Sequence, residues 1–423
     1  MKLKIKYART FFLIIIVGFL CFSTPLHSQD SYTEYKGKVL DIDTRESLVF
    51  VNLSVKNTNI STVTNTEGEF IIKAPNSNED GILVVTLLGY EQKEIQLVNL
   101  AIGNNKIVLS PKVVQLTEVN ITAFESAQAL VKRVLVDKYR NSPGESVLMT
   151  AFYRETIKRR NRNVSLTEAV VDLYKQPYAS NKRDILTIHK ARKSTDYRRL
   201  DTVAVKMQGG PFSTLYLDIM KYPEYIFNDE TIDYYDFTFE APSTVGNKPV
   251  YVVRFKQKDV VIGSGYMGKL FIDVESLALT SATYSLNITD SKEASELFVR
   301  KKPRNITVAP LQAAYRVDYR EKKGKWYYGY GSVQVSFKIS KRRKLFNQVY
   351  TLSSEMAVTD WEINTSGYIP LFKERLKPTV IIADAVSGFS DPDFWGPLNV
   401  IEPEKSIESA IDKIRRKIKR EKG

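Results

Sequence analysis

Between residues 34 and 115, short apolar runs of period two alternate with turn residues. Tyr35–Leu40 predicts a first strand. In Val49–Lys56, the side chains of Val51, Leu53 and Val55 fall on one face, as a half-buried strand requires. Asn65-Thr-Glu-Gly-Glu-Phe70 predicts a turn into a strand over Phe70–Lys73, with Gly68 suited to a positive φ. Gly81–Leu88 is almost wholly apolar, the pattern of a buried central strand. Glu91–Val98 and Lys106–Leu109 supply the last strands. Roughly seven short strands in this space predict an antiparallel sandwich.

At 124–141 the period changes. Ala127, Leu130, Val131, Val134 and Leu135 recur at helical spacing, and Asn141-Ser-Pro-Gly ends the segment. From 146 onward the chain is strand-rich again. Strands are expected over Val147–Thr156, Val164–Tyr174, Tyr251–Lys256, Gly268–Val274, Ala278–Leu286, Ala313–Tyr319, Trp326–Ile339 and Gln348–Met356. Near the C-terminus, Pro403 opens a helix whose Ile407, Ala410, Ile411, Ile414 and Ile418 make one apolar stripe. Arg415 and Arg416 belong to the basic cluster that crowds its end.

Residues 1–29 read as a secretory signal. Lys2, Lys4, Lys6 and Arg9 precede the apolar run Phe11–Phe22, which is too short to span a bilayer comfortably. Cleavage is expected after Ser28. Leu20 stands before Cys21 where a lipid-anchor signal wants a small residue, so a secretory signal is favoured over a lipoprotein one.

The first module carries a resemblance. Gly37-Lys-Val39, Asp41, Thr44, Phe50-Val51-Asn52, Asn65-Thr-Glu-Gly68-Glu-Phe70 and Leu88-Gly89-Tyr90 are similar to the carboxypeptidase-regulatory-like domain. The resemblance implies a transthyretin-like β-sandwich, common at the N-termini of Bacteroidetes outer-membrane receptors and other envelope proteins. The usual Pro before the second strand is missing, and Ser47-Leu48 stands in its place. Gln115–Ala123 resembles the connector that leads into the plug of TonB-dependent receptors. Lys248–Lys256, Gly265–Val274 and Leu277–Asn287 form a meander similar to the half-barrels of LolA-type lipoprotein carriers. Residues 124–423 resemble an uncharacterised Bacteroidetes family through Phe152-Tyr-Arg-Glu155, Gln208-Gly-Gly-Pro211, Arg300-Lys-Lys-Pro303, Tyr319-Arg-Glu-Lys322, Asp391-Pro-Asp-Phe-Trp-Gly396 and Ile401-Glu-Pro-Glu404.

The expected fold class is therefore mainly β. A transthyretin/Ig-like β-sandwich (30–115) precedes a linker and helix (116–145). A larger antiparallel β-rich domain (146–398), with a LolA-like half-barrel as one form, and a basic C-terminal helix (399–423) complete the expected order.

Composition narrows the chemistry. The one cysteine, Cys21, lies in the signal, and of two histidines only His189 lies beyond it. Without the signal no thiol remains for a disulfide, a nucleophile or a metal site. A metallocarboxypeptidase needs two histidines on zinc, so peptidase activity is rejected and no cofactor or metal is expected. The net charge of +14 suits anionic partners such as lipid headgroups or acidic glycans, or serves solubility alone. An exported protein is not expected to meet nucleic acid.

Paired carboxylates remain as candidates for acid–base work: Asp391 with Asp393, and Glu155 with Glu168. The plainer reading of Asp391-Pro-Asp is a turn whose Phe394 and Trp395 anchor the tail. For Glu155 beside Arg154 it is a surface or sheet salt bridge. Gly209-Gly210 reads as a turn, since no Lys-Ser/Thr follows. Tyr222, Tyr225, Tyr234 and Tyr235 lie in an aromatic stretch that would line a glycan or lipid groove, or pack an edge strand and the core. Arg415 and Arg416 would face anionic headgroups in peripheral membrane contact, or merely complement the helix dipole.

Three functions follow in order of expectation. The first is a non-catalytic envelope protein that binds or scaffolds another envelope component. The second is a lipid or lipoprotein carrier with an apolar groove. The third is a carboxylate-dependent hydrolase.

Overall fold

The computed structural model describes residues 32–78, 80–112, 124–159, 162–195, 209–298, 306–341, 347–382 and 394–404. The signal segment, the connector that follows residue 112, Asp391, Asp393 and the terminal helix with Arg415 and Arg416 lie outside the described residues.

Seven strands build the N-terminal unit: β1 (Tyr32–Asp41), β2 (Asn52–Val55), β3 (Ser61–Val63), β4 (Glu69–Pro75), β5 (Ile82–Thr86), β6 (Lys93–Gln96) and β7 (Asn105–Leu109). They form two sheets, in the orders β4-β1-β7 and β3-β2-β5-β6. Val51, Leu53 and Val55 are buried between them with Phe70, Ile72, Leu83 and Val85, as the alternation predicts. The expected all-antiparallel pairing needs a correction, because β7 lies parallel to β1 with Ile107 opposite Val39. The chain leaves β6 in the other sheet and crosses over, so β7 arrives running the same way as β1. The regular strand begins only at Asn52, after Phe50 takes a left-handed φ of 58°. β3 has three residues, too few to show a period.

The motif residues of the sandwich hold its turns. Asp41 accepts the backbone N–H groups of Asp43 and Thr44, both at 2.8 Å, and the Tyr90 hydroxyl at 2.8 Å. Asn65 Oδ1 accepts the N–H groups of Glu67 and Glu69 at 2.9 Å around Gly68, whose φ is +75°.

The second unit is one antiparallel sheet. Its strands are β8 (Val147–Arg159), β9 (Arg162–Lys175), β10 (Ile185–Thr195), β11 (Tyr235–Val245), β12 (Lys248–Gln257), β13 (Tyr266–Asp273), β14 (Leu279–Leu286), β15 (Ile306–Lys322), β16 (Lys325–Lys341) and β17 (Gln348–Ile363). The order is β10-β9-β8-β17-β16-β15-β14-β13-β12-β11, with β10 and β11 at the ends. The expected β12–β13–β14 meander is present. Of the two end strands, β10 was not foreseen, and β11 was expected only as the edge-strand reading of the aromatic stretch that includes Tyr235. Charged residues interrupt the pattern of β10, and β11 carries a proline, which edge strands tolerate.

Helix α1 (Ala127–Asn141) is capped by the Ser126 hydroxyl, which accepts the Ala129 N–H at 3.1 Å. Its buried residues are the five the helical spacing picks out. With α2 (Phe212–Leu215), the segment through Ile232 and α3 (Ser291–Phe298), it covers one face of the large sheet. Leu130, Leu215, Phe227 and Ala294 join Met149, Tyr153, Val171 and Phe255 in a continuous core there. Among the described residues a continuous set of buried side chains covers this face. Where α1 approaches β15 and β16 the void left is about 10 Å³, room for one water at most.

The sandwich lies on the opposite face. Val63 and Ile71 of the sandwich, Phe152, Val170, Tyr330 and Ala357 of the sheet, and Trp395, Val400 and Ile401 of the tail form a second buried cluster. Residues 394–404 thus run between the two units. They are not helical, although the sequence assigned 399–404 to the terminal helix.

Candidate functional site

Alternation along β8 and β9 sends neighbouring residues to opposite faces. Arg154 lies opposite Glu168, whereas Glu155 lies opposite Thr167. Glu155 and Glu168 therefore face away from each other, and the suggested carboxylate pair does not exist. Both are buried, which corrects the expected surface salt bridge as well.

On the sandwich face, Glu168 sits between two arginines. Arg154 Nη2 lies 2.8 Å from Oε1, and Arg192 Nη2 lies 2.7 Å from Oε2. Burial pushes the Glu168 carboxyl up, but the two guanidinium groups outweigh it and hold the group below its ordinary value. Arg154 also donates to the Ile401 carbonyl at 2.7 Å, and Arg192 lies over the Trp395 ring at 4.9 Å. These cations serve to anchor the tail.

A second closed network sits on the helical face. Lys175 contacts Asp184 at 2.5 Å and Asp218 at 2.6 Å. Tyr178 and Tyr319 donate to Asp218, and Tyr222 donates to Asp184, each at 2.9 Å. All three charged side chains are 1% exposed or less, so no substrate reaches them. Nearby, Glu155 accepts from the Tyr153 hydroxyl at 3.0 Å, and burial raises its carboxyl to about 7.

The tyrosines of the aromatic stretch separate into two groups. Tyr222 and Tyr235 are buried core residues, which removes them as ligand contacts. Tyr225 and Tyr234 are exposed; Tyr225 stacks on Tyr216 at 5.0 Å between centroids. Trp395 is also buried, edge-on to Phe152 at 5.5 Å, so it packs the tail and is not open to a ligand. Gly209 and Gly210 form a turn with φ of +112° and +48°. His189 is exposed, 3.7 Å from Asp172. Among the described residues, no group of three His, Cys, Asp or Glu is placed to hold a metal.

An open cleft of about 880 Å³ lies where the two units meet. Its floor is the sandwich face of β14–β16, with Ser281, Arg316, Asp318 and Arg320. β2, β5 and the Asn57–Asn59 turn form its roof. Two hairpin tips wall it, Gly246-Asn247 and Glu321-Lys-Lys323. Six basic residues line it against two carboxylates, so the cleft is electropositive.

Arg320 is the central cation. Its Nη1 donates to Ser61 Oγ and, at 2.7 Å, to the Val358 carbonyl, joining sandwich to sheet. Its Nη2 is out of solvent and has no hydrogen-bond partner. Among the described residues no carboxylate forms a salt bridge with it, and burial lowers it to about 10. Arg316, by contrast, pairs with Asp318 at 2.7 Å. Lys322 donates to Asn59 Oδ1 across the domains and lies 5.7 Å from the Trp361 ring centre. Burial holds Lys322 below its ordinary value. Across the cleft, Asn52 Oδ1 is buried and unbonded.

Sequence reasoning singled out the stretch Tyr319-Arg-Glu-Lys322, which holds Arg320 and Lys322, but gave it no site role. A second local signal was the basic run at the tip of the β15–β16 hairpin. Nothing local says that Asn59 will face Trp361, 302 residues away.

Fold and cleft define a two-domain β protein: a seven-stranded sandwich fixed to one face of an open antiparallel sheet, with a basic cleft at the junction. Residues 35–121 match the family model described as the CarboxypepD_reg-like domain. No curated protein matches the chain. Among solved structures, a DUF1329 family protein from Desulfovibrio piger is similar over 58% of this chain and 96% of its own, at 11% identity and a TM-score of 0.25. A LolA superfamily protein from Nitrosomonas europaea is similar over 56% of this chain and 95% of its own, at 10% identity and a TM-score of 0.23. Likeness at these scores carries no inference about activity.

Proposed function

We propose that this is an exported, non-catalytic protein of the cell envelope that works by binding, with the sandwich and the large sheet acting as one rigid body. One observation carries the reading. The two units are joined by a buried apolar cluster and by side chains that reach across, such as Arg320 to Ser61, and the junction leaves an open cleft. A scaffold needs such a fixed joint; a flexible linker between domains would leave no shared surface.

The carrier alternative asks for an apolar groove. Its natural place is the helical face of the sheet, and among the described residues a continuous buried core covers that face. The hydrolase reading asks for two carboxylates facing one space. Glu155 and Glu168 point to opposite faces. Export rests on the basic and apolar pattern of residues 1–29.

Fractionation of the producing cells tests export. A chain beginning near Gln29 in the envelope fraction supports the proposal; a chain retaining Met1 in the cytosol defeats it. Turnover of chromogenic glycosides, esters, phosphates or peptides by the purified protein would defeat the non-catalytic half. Lipid retained in native mass spectrometry would favour the carrier.

A further inference from the structure

We infer that the cleft between the sandwich and the large sheet binds an acidic saccharide, whose anionic group is received by Arg320 and Lys322 beside Trp361. The inference rests on the binding role proposed above and names its ligand class.

Charge is the first argument. The cleft has six basic residues and two carboxylates; Asp318 is paired with Arg316, Glu321 with Lys248, and Lys56 with Glu94, so the excess positive charge is that of Arg320, Lys322 and Lys323. Arg320 lacks an ion-pair partner among the described residues, and Lys322 bonds only the neutral amide of Asn59. A guanidinium sunk between two domains without a counter-ion is costly to keep, and a bound anion would offset that cost. A ligand that enters would also give Arg320 Nη2 and Asn52 Oδ1 partners after small rotations.

Size and polarity narrow the anion. At about 880 Å³ the cleft lies within the roughly 300–1,000 Å³ range of small-ligand sites, too small to enclose a protein domain. Five side-chain amides line it: Asn52, Asn57, Asn59, Gln92 and Asn247. Asn59 already bonds Lys322 and the Trp361 carbonyl, and Gln92 bonds Glu94; Asn52 Oδ1, Asn57 and Asn247 are left to meet hydroxyl groups, which a fatty chain lacks. Trp361 is half-buried; its ring packs against Tyr327 at 5.4 Å between centroids with Lys322 5.7 Å from its centre, and its remaining edge adds apolar surface to the cleft wall. Cations, amides and an indole together describe a sugar acid, free or as the headgroup of a glycolipid.

Isothermal titration calorimetry on the full mature chain tests this with tri-galacturonate as the free acid and lipopolysaccharide in detergent micelles as the headgroup source. Neutral maltotriose and tetrathymidylate are the controls. The expected result is a dissociation constant of roughly micromolar to millimolar order for at least one acidic saccharide. The arm that binds more tightly identifies the source. Binding should weaken several-fold as salt rises from roughly 50 to 300 mM. Arg320→Gln and Lys322→Gln should each weaken it about tenfold, the loss of one charged hydrogen bond. Lys322 is half-exposed at the end of β15, and a glutamine there can still donate to Asn59, so Lys322→Gln should keep the fold and report even if Arg320→Gln fails to fold. Absence of binding by both acidic ligands overturns the inference. So does equal binding of maltotriose, tighter binding of tetrathymidylate, or an unchanged constant in Lys322→Gln. None of those results bears on export or on turnover, so the broader proposal stands or falls separately.

Discussion

Lys73 and Asn399 are joined by two hydrogen bonds that copy a strand pairing: the Lys73 N–H donates to Asn399 Oδ1 at 2.7 Å, and Asn399 Nδ2 donates to the Lys73 carbonyl at 3.0 Å. Lys73 lies on β4, the outer strand of its sheet, whose free edge would otherwise invite further pairing. One side chain therefore seals part of that edge and fixes the tail between the two units. Asn399→Ala leaves two buried backbone groups unbonded and should cost about 1–3 kcal/mol. Urea denaturation measures the loss, and hydrogen exchange should quicken at β4. Unchanged stability would show that the tail does not hold the sandwich.

Glu155 gives the protein a pH dependence of definite sign. Its carboxyl is raised from 4.5 to about 7 by burial, so the folded state binds a proton that the unfolded state has released between those values. Stability from this group is full below about pH 4.5, falls as the pH rises to about 7, and is level above that. Glu155→Gln removes the penalty while keeping an acceptor for the Tyr153 hydroxyl. It should raise the melting temperature at pH 8 and change it little at pH 4.5; the gain is of order 3 kcal/mol at most. Equal shifts at both pH values would contradict the assignment.

The Arg154–Glu168–Arg192 network should behave in the opposite sense. Both arginines hold the Glu168 carboxyl below its ordinary value despite its burial, so its contribution is present at neutral pH and is lost as the pH falls through the lowered value. Glu168→Gln removes the carboxylate that two buried arginines share and should destabilise by up to about 3–5 kcal/mol. The double variant Arg154→Met with Glu168→Gln should lose less than its two single variants summed. Thermal unfolding of the four proteins as a cycle decides the point; additive losses would mean the pair is not coupled.

Gly331 on β16 has no space for a side chain. A Cβ there would run into the Tyr328 hydroxyl and come 2.8 Å from the Thr214 carbonyl. Tyr328 donates to that carbonyl at 3.0 Å, tying α2 to the sheet. Gly331→Ala should therefore break this bond and cost about 1–3 kcal/mol through overpacking. Gly331→Ala combined with Tyr328→Phe should be less damaging than the two losses summed, which calorimetry can measure.

Most of the strands were legible because their causes are local. Val51, Leu53 and Val55 alternate, and the sandwich buries all three. Gly68 follows an Asx turn, and its φ is positive as that turn demands. The side of α1 that carries Leu130 and Val134 was equally plain from its spacing. Short or interrupted elements were not legible. β3 is too brief to have a period, and β10 and β11 are edge strands whose polar residues blur it.

The amino-acid order by itself determined the mainly β class, the sandwich module and the intervening helix, since backbone period, turn chemistry and propensity act over a few residues. Only the tertiary structure decided which charged and aromatic residues would be buried. Arg154 and Glu155 are adjacent in the chain, yet the pleat sends one to the sandwich and its tail and the other to the helical core. The cleft belongs to the same class of outcome. Four of its six cations come from β15 and the turn after it, and its amides largely from the sandwich, more than two hundred residues earlier. Electrostatic partnership depends on distance in space and on the water excluded between groups, and neither quantity exists until the two domains have closed on each other.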